Sequence, residues 1–126
     1  MVLNIDHHLT NTQFGTYAHV DSQVCATAEI VYNIITALGV PIDKTIATAI
    51  YTAILTDTGS FLFQNTNSAA FSISSEMVEK GADPYTVAQS VYATYSLGRL
   101  KLLNMVLDSI DISENGKLSI MFLSQK

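Results

Sequence analysis

The chain has 126 residues with a net charge of −5, and only 13% of its residues are charged. This length fits one domain, and the acidic balance argues against a basic patch for nucleic acid carried by the chain alone. The single cysteine, Cys25, excludes an intrachain disulfide and is typical of a reducing compartment. The first residues do not resemble a signal peptide, and the most apolar helical stretch, residues 45–55, is too short to span a bilayer. We therefore expect one cytoplasmic domain with no membrane partner.

The hydrophobic pattern predicts one strand and then two helices. Residues 2–5 are β-prone and end in polar side chains, which is typical of a buried parallel strand whose carboxyl end borders a ligand site. Residues 9–25 are polar and predicted to be irregular. The first helix is expected to bury Ala28, Val31, Ile35 and Leu38. The second is predicted to begin after Asp43, to end near Asp57 and to bury Ile46, Ala47, Ile50, Tyr51 and Ile54.

Three more helices and a hairpin are predicted to follow. The third helix begins at Thr66 and is expected to bury Ala70, Phe71, Ser74, Met77 and Val78. Asp83 before Pro84 marks the start of a fourth helix, which is expected to bury Val87, Val91, Tyr92 and Tyr95. Ser96 can cap a fifth helix, with Leu100, Leu103, Val106 and Leu107 on its apolar face. Asn115 and Gly116 lie between β-prone runs, which indicates a hairpin.

Asp6, His7 and His8 stand together where the first strand is predicted to end. A carboxylate and two imidazoles offer a metal ligand, a group that orients it and a proton donor. A polar loop with solvated histidines is the alternative. His19 is expected to be an exposed loop residue, and Cys25 a small buried side chain, because no basic residue lies near it in the sequence.

Asp57 closes a strongly apolar predicted helix, where the helix dipole disfavours a carboxylate. A metal ion at this position would compensate for the unfavourable dipole. The alternative is an Asx-turn, in which the Asp57 side chain accepts a hydrogen bond from the backbone of Gly59.

Five segments, in order, resemble the DHH phosphoesterase superfamily. They are residues 4–8 (NIDHH), 26–32 (ATAEIVY), 56–61 (TDTGSF), 81–84 (GADP) and 96–103 (SLGRLKLL). Together they are similar to the oligoribonuclease and phosphoadenosine-phosphate (pAp) phosphatase branch, over essentially the whole chain. The resemblance implies an α/β fold: the central part of a DHH domain, mostly helical, with one N-terminal parallel-type strand and a C-terminal β-hairpin.

The resemblance also implies hydrolysis of short oligonucleotides or pAp by metal-activated water, with Mn²⁺ as the cofactor and Mg²⁺ or Co²⁺ as alternatives. At the matching positions, His7 and Asp57 would be metal ligands. His8 would contact the scissile phosphate as a catalytic and substrate-binding residue, and Asp6 would be the second catalytic residue, orienting the site. The family's N-terminal metal motifs and C-terminal substrate-binding domain have no match in the chain. We therefore expect part of a longer enzyme that is inactive alone and carries no metal if the missing ligands are essential.

Two other interpretations stay open. The chain could be a non-catalytic module that self-associates, by default as a dimer, through exposed apolar surface, because few charged residues keep such surfaces apart in water. It could also be an inorganic pyrophosphatase or an exopolyphosphatase-like member of the same superfamily. Homo-oligomerisation is expected under each interpretation.

Overall fold

The computed structural model describes residues 1–124, which contain five helices and four short strands. In chain order the elements are β1 (Leu3–Asp6), β2 (Tyr17–Val20), α1 (Thr27–Ala37), α2 (Lys44–Asp57), α3 (Ser68–Glu79), α4 (Pro84–Tyr92), α5 (Leu97–Asp108), β3 (Asp111–Ile112) and β4 (Ser119–Ile120). The chain divides into two compact units, Met1–Val87 and a second from Ala88 onward. The mixed α/β class is confirmed, whereas the assignment of the whole chain to one partial DHH domain stays a prediction.

The N-terminal sheet is a parallel pair, with Leu3 of β1 opposite Tyr17 of β2 and Asp6 opposite Val20. The parallel-type strand is thus confirmed, but two details are corrected. Residues 9–25 are not wholly irregular, because they contain β2, which forms through backbone pairing rather than an apolar pattern. β1 is also not a buried strand: in residues 1–124 it pairs with one strand alone, and only its Asn4 is buried.

The helix α2 forms as predicted and provides much of the core of the first unit. The Asp43 side chain accepts a hydrogen bond from the Ile46 N–H at 2.8 Å, so the predicted cap is confirmed. The helix packs against α1 and α3. Its buried residues are Ala47, Ile50, Tyr51, Ile54 and Leu55, and the predicted Ile46 is only half-buried.

The helix α3 begins at Ser68, two residues later than predicted, and Asn67 is its cap. The Asn67 side chain accepts a hydrogen bond from the Ala70 N–H at 2.8 Å. The buried residues of α3 are Ala70, Ile73, Ser74 and Met77. Phe71 and Val78, predicted to be buried, are exposed, since they lie outside this face. Leu38, at the end of α1, is exposed as well.

The second unit confirms the predicted elements but not the predicted core. The Ser96 side chain caps α5 by accepting from the Arg99 N–H at 3.2 Å, and β3 and β4 form the antiparallel hairpin. Within residues 1–124, however, α5 has no buried residue. The residues predicted to be buried here but observed exposed are Tyr92, Tyr95, Leu100, Leu103 and Leu107. No helix in the described part of the chain has both the length and the apolar character that a bilayer crossing requires.

Candidate metal centre and phosphate site

Two of the predicted site residues, fifty positions apart in the sequence, meet at one place. His7 directly follows β1 and Asp57 is the last residue of α2. His7 Nε2 lies 3.6 Å from Asp57 Oδ2, so the two residues expected to be metal ligands are close together. This distance is too long for a direct hydrogen bond, which needs about 2.7–3.2 Å. Two atoms each about 2.1 Å from one cation are separated by about 3.0–3.6 Å, at angles between about 90° and 120°.

The donor set of this pair fits a divalent cation. An imidazole nitrogen and a carboxylate oxygen are both ligands that Mn²⁺ and related cations accept in proteins. The His7 side chain is 16% exposed and that of Asp57 is 42% exposed, so the pair is partly sheltered and still open to solvent. His7 and Asp57 are therefore the residues that would hold the metal, a role that stays a prediction.

Asp6 is the hub of the hydrogen bonds at the end of β1. Its Oδ1 accepts from the backbone N–H of His7 at 2.7 Å and of His8 at 3.3 Å, and from His8 Nδ1 at 2.7 Å. Its Oδ2 accepts from Asn11 Nδ2 at 2.6 Å. The Asn11 amide, followed by His8, holds the pKa of the Asp6 carboxyl well below its usual range. Both oxygens are thus engaged, which suits an orienting role better than metal ligation.

His8 is the most accessible of the four predicted site residues, with a side chain that is 67% exposed. Its Nδ1 pairs with Asp6, which leaves Nε2 as the other ring nitrogen. The Asp6 carboxylate raises the pKa of the His8 imidazole, because it accepts a hydrogen bond from the ring and attracts its positive charge. A protonated His8 can donate a charge-assisted hydrogen bond to a phosphate oxygen, as its predicted role requires.

The turn after α2 fixes the position of Asp57. Asn65 Nδ2 donates to the carbonyl oxygens of Cys25 at 2.8 Å and of Asp57 at 3.1 Å. The Gly59 N–H donates to the Thr56 carbonyl at 3.0 Å and not to the Asp57 side chain. The Asx-turn alternative for Asp57 is therefore wrong. The Asp57 carboxylate instead faces the His7 ring.

The remaining candidates take structural places. Cys25 is fully buried, as predicted, and burial raises the pKa of its thiol to about 12, so it is not a nucleophile. The buried Glu29 carboxylate accepts from the Cys25 N–H at 2.9 Å and from Asn67 Nδ2 at 3.2 Å, which ties the start of α1 to the start of α3. His19 is exposed as predicted, although it lies in β2 and not in a loop.

Asn11 and Asn65 are the two site residues that the sequence interpretation missed. Each is an asparagine in a segment without helical or strand pattern, where asparagine is common turn chemistry. Nothing in the spacing shows that Asn11 meets Asp6 or that Asn65 meets Asp57. The only signal is that both follow a candidate site residue within ten positions.

Comparison with known proteins gives relatives but no matching family model. The chain is 45% identical, over 80 residues, to the bifunctional oligoribonuclease and PAP phosphatase NrnA of Thermus thermophilus, covering 64% of the chain and 25% of that relative. It is 29% identical over 126 residues to the probable NrnA of Streptococcus mutans, covering 99% of the chain and 40% of the relative. The chain therefore spans at most about two-fifths of these relatives.

A solved structure shares the fold of the chain. The exopolyphosphatase-related protein of Bacteroides fragilis superimposes with a TM-score of 0.85 at 32% identity, covering 94% of the chain and 36% of that protein. Sequence and structure thus confirm the resemblance read from the five segments. The chain is similar to part of proteins named bifunctional oligoribonuclease and PAP phosphatase NrnA and to part of an exopolyphosphatase-related protein.

Proposed function

We propose that this chain carries part of the metal and phosphate site of a phosphoesterase that hydrolyses short oligonucleotides or pAp. The observation that carries the proposal is the 3.6 Å approach of His7 Nε2 to Asp57 Oδ2. Two residues so far apart in sequence meet at a distance typical of shared metal ligation rather than of a hydrogen bond. The names of the NrnA relatives support the substrate class.

Each of the four residues has a distinct part in the proposal. His7 and Asp57 hold the cation, with Mn²⁺ as the first choice. When bound, a divalent cation supplies a Lewis acid that polarises a phosphoryl oxygen. His8 donates a hydrogen bond to the phosphate, and Asp6 keeps the His8 ring in place through the 2.7 Å contact with Nδ1.

Manganese titration of the chain tests the metal site directly. Calorimetry of the unchanged chain should show a Mn²⁺ binding event that His7→Gln and Asp57→Asn abolish. Glu114→Gln is the matched control, because it removes the same charge as Asp57→Asn from an exposed turn of the second unit. If Asp57→Asn binds Mn²⁺ as the unchanged chain does, the proposed site is wrong.

We expect negligible turnover from the 126-residue chain alone. His7 and Asp57 give two ligands, whereas a hard cation takes about six and a two-metal site needs ions about 3.5–4 Å apart. The assay uses Mn²⁺ with pAp, a short oligoribonucleotide and polyphosphate. Robust turnover that Asp57→Asn abolishes would refute this expectation while supporting the proposed activity.

Two other functions remain candidates. The Bacteroides fragilis neighbour favours a polyphosphate substrate, and the polyphosphate arm of the assay separates it from pAp. The exposed leucines of α5 favour a non-catalytic module that self-associates. A chain that forms dimers but shows no Mn²⁺ binding would support the module over the enzyme.

A further inference from the structure

Asn11, in the segment between β1 and β2, and Asn4, in β1, form hydrogen bonds beside Asp6, and neither asparagine has a role in the proposed function. Asn11 Nδ2 donates to Asp6 Oδ2 at 2.6 Å and to Asn4 Oδ1 at 3.3 Å. In return, Asn4 Nδ2 donates to Asn11 Oδ1 at 2.9 Å. Asn4 is 6% exposed and lies in β1, so the partner that anchors Asn11 is both buried and part of the sheet.

The orientation of the Asn11 amide is fixed by its neighbours. The backbone N–H of Gln13 can only donate, and it lies 2.6 Å from Asn11 Oδ1. The oxygen of the amide must therefore face Gln13, and the NH₂ group must face Asp6. Since an ionised carboxylate can only accept, this is the arrangement in which every contact joins a donor to an acceptor.

We propose that Asn11 is a positioning residue, which holds the Asp6 carboxylate so that Asp6 in turn fixes the ring orientation and tautomer of His8. Without Asn11, Asp6 Oδ2 has no other donor among the described contacts. Only the backbone N–H groups of His7 and His8, which donate to Oδ1, then hold the carboxylate against rotation away from His8 Nδ1. With Asn11 in place, neutral His8 carries its proton on Nδ1, because Asp6 accepts there. Nε2 is then the nitrogen that faces protonation or a ligand.

The consequence for phosphate binding rests on the proposed function, whereas the positioning itself does not. A His8 ring fixed through Nδ1 presents Nε2 in one orientation, so a phosphate oxygen meets a preorganised donor once the ring is protonated. The tautomer can be measured without metal or substrate. A failure of the positioning proposal can therefore be told apart from a failure of the proposed function.

The experiment is nitrogen-15 NMR of the histidine side chains in the metal-free chain, at a pH high enough that the His8 ring signals no longer change with pH. The unchanged chain should show His8 with its proton on Nδ1, and an Asn11 side-chain amide proton that is shifted downfield and slow to exchange. His8 protonated mainly on Nε2, or an Asn11 amide that exchanges as freely as an exposed one, would overturn the proposal without any variant.

Two variants then test the causal step. Asn11→Asp keeps the shape and the acceptor for Gln13 but replaces the donor to Asp6 by a carboxylate, and Asn11→Ala removes both groups. Each should lower the ratio of His8 protonated on Nδ1 to His8 protonated on Nε2 by about fivefold, which corresponds to the free energy of about one net hydrogen bond. Asn4→Ala removes only the anchor of Asn11 and should give a smaller shift in the same direction.

The matched control is Thr16→Ala. The Thr16 hydroxyl accepts from the Val2 N–H at 3.2 Å, so it ties the same segment to the residue before β1 without contacting Asp6. This variant should leave the His8 tautomer unchanged. If it shifts the tautomer as much as Asn11→Asp does, or if the folded Asn11 variants keep His8 protonated on Nδ1, Asn11 supports the loop only and the proposal is wrong.

Discussion

Replacing Gly59 by alanine tests how the turn after α2 is held next to Asp57. Gly59 has a φ of +56°, and a Cβ added there would lie 2.5 Å from Phe63 Cζ. The left-handed backbone costs an L-residue about 1–2 kcal/mol. Phe63 is 60% exposed as a residue, so its ring can move aside, and the overlap adds about 1 kcal/mol of lost packing. Gly59→Ala should therefore lower the free energy of unfolding by about 2–3 kcal/mol.

Gly39→Ala is the matched control for the backbone cost. Gly39 has a φ of +66°, and an added Cβ there would meet no heavy atom within 4 Å, so this variant should lose only about 1–2 kcal/mol. In a Phe63→Ala background the overlap is gone, and Gly59→Ala should cost no more than Gly39→Ala. The difference between the two backgrounds is a coupling free energy of about 1 kcal/mol.

The measurement is urea unfolding followed by the NMR amide signals of the first unit, because the two units need not unfold together. Manganese titration of the same variants reports on Asp57, and only Gly59→Ala should weaken binding, since Gly39 lies after α1. Equal losses of stability for Gly59→Ala and Gly39→Ala, with no coupling to Phe63, would refute the steric reasoning.

Three further predictions follow from other contacts. Asn65→Ala removes the donor to the Asp57 and Cys25 carbonyls and should lower the free energy of unfolding by about 1–2 kcal/mol in the same urea experiment. The Thr86 hydroxyl donates to Asp83 and lowers the pKa of that carboxyl in the folded chain. The ionised Asp83 therefore stabilises the fold at pH values above its unfolded pKa, and this stabilisation is lost as the pH falls towards its folded pKa. Thermal midpoints between about pH 5 and pH 2 should consequently fall less steeply in Asp83→Asn than in the unchanged chain, and parallel curves would contradict this. Sedimentation at several concentrations should show self-association through the apolar surface of α5, and a monomer that persists at high concentration would exclude it.

The helices of the first unit were largely predictable because their signals are local. A cap at Asp43, apolar residues at helical spacing and the turn after Asp57 lie within one stretch of chain, and α2 forms between them. The start of α5 and the hairpin are similar cases. One capping contact of Ser96 marks the start of α5, and the left-handed Gly116, at φ +67°, marks the turn of the hairpin. The four site residues came from motif resemblance, with Asp6, His7 and His8 at the end of a predicted strand and Asp57 at the end of a predicted helix.

What the tertiary structure alone decided are the pairings between distant segments. β2 has no pattern of its own and exists because its backbone pairs with β1. The burial of α3 follows the side that packs on α2, so Phe71 is exposed although its spacing is helical and its ring is large. The 3.6 Å distance between His7 and Asp57 depends on how the end of β1 lies relative to the end of α2. The contact of Asn11 with Asp6 depends on the path of the segment after β1. Sequence spacing determines which residues share one element, whereas packing between elements determines which side chains meet.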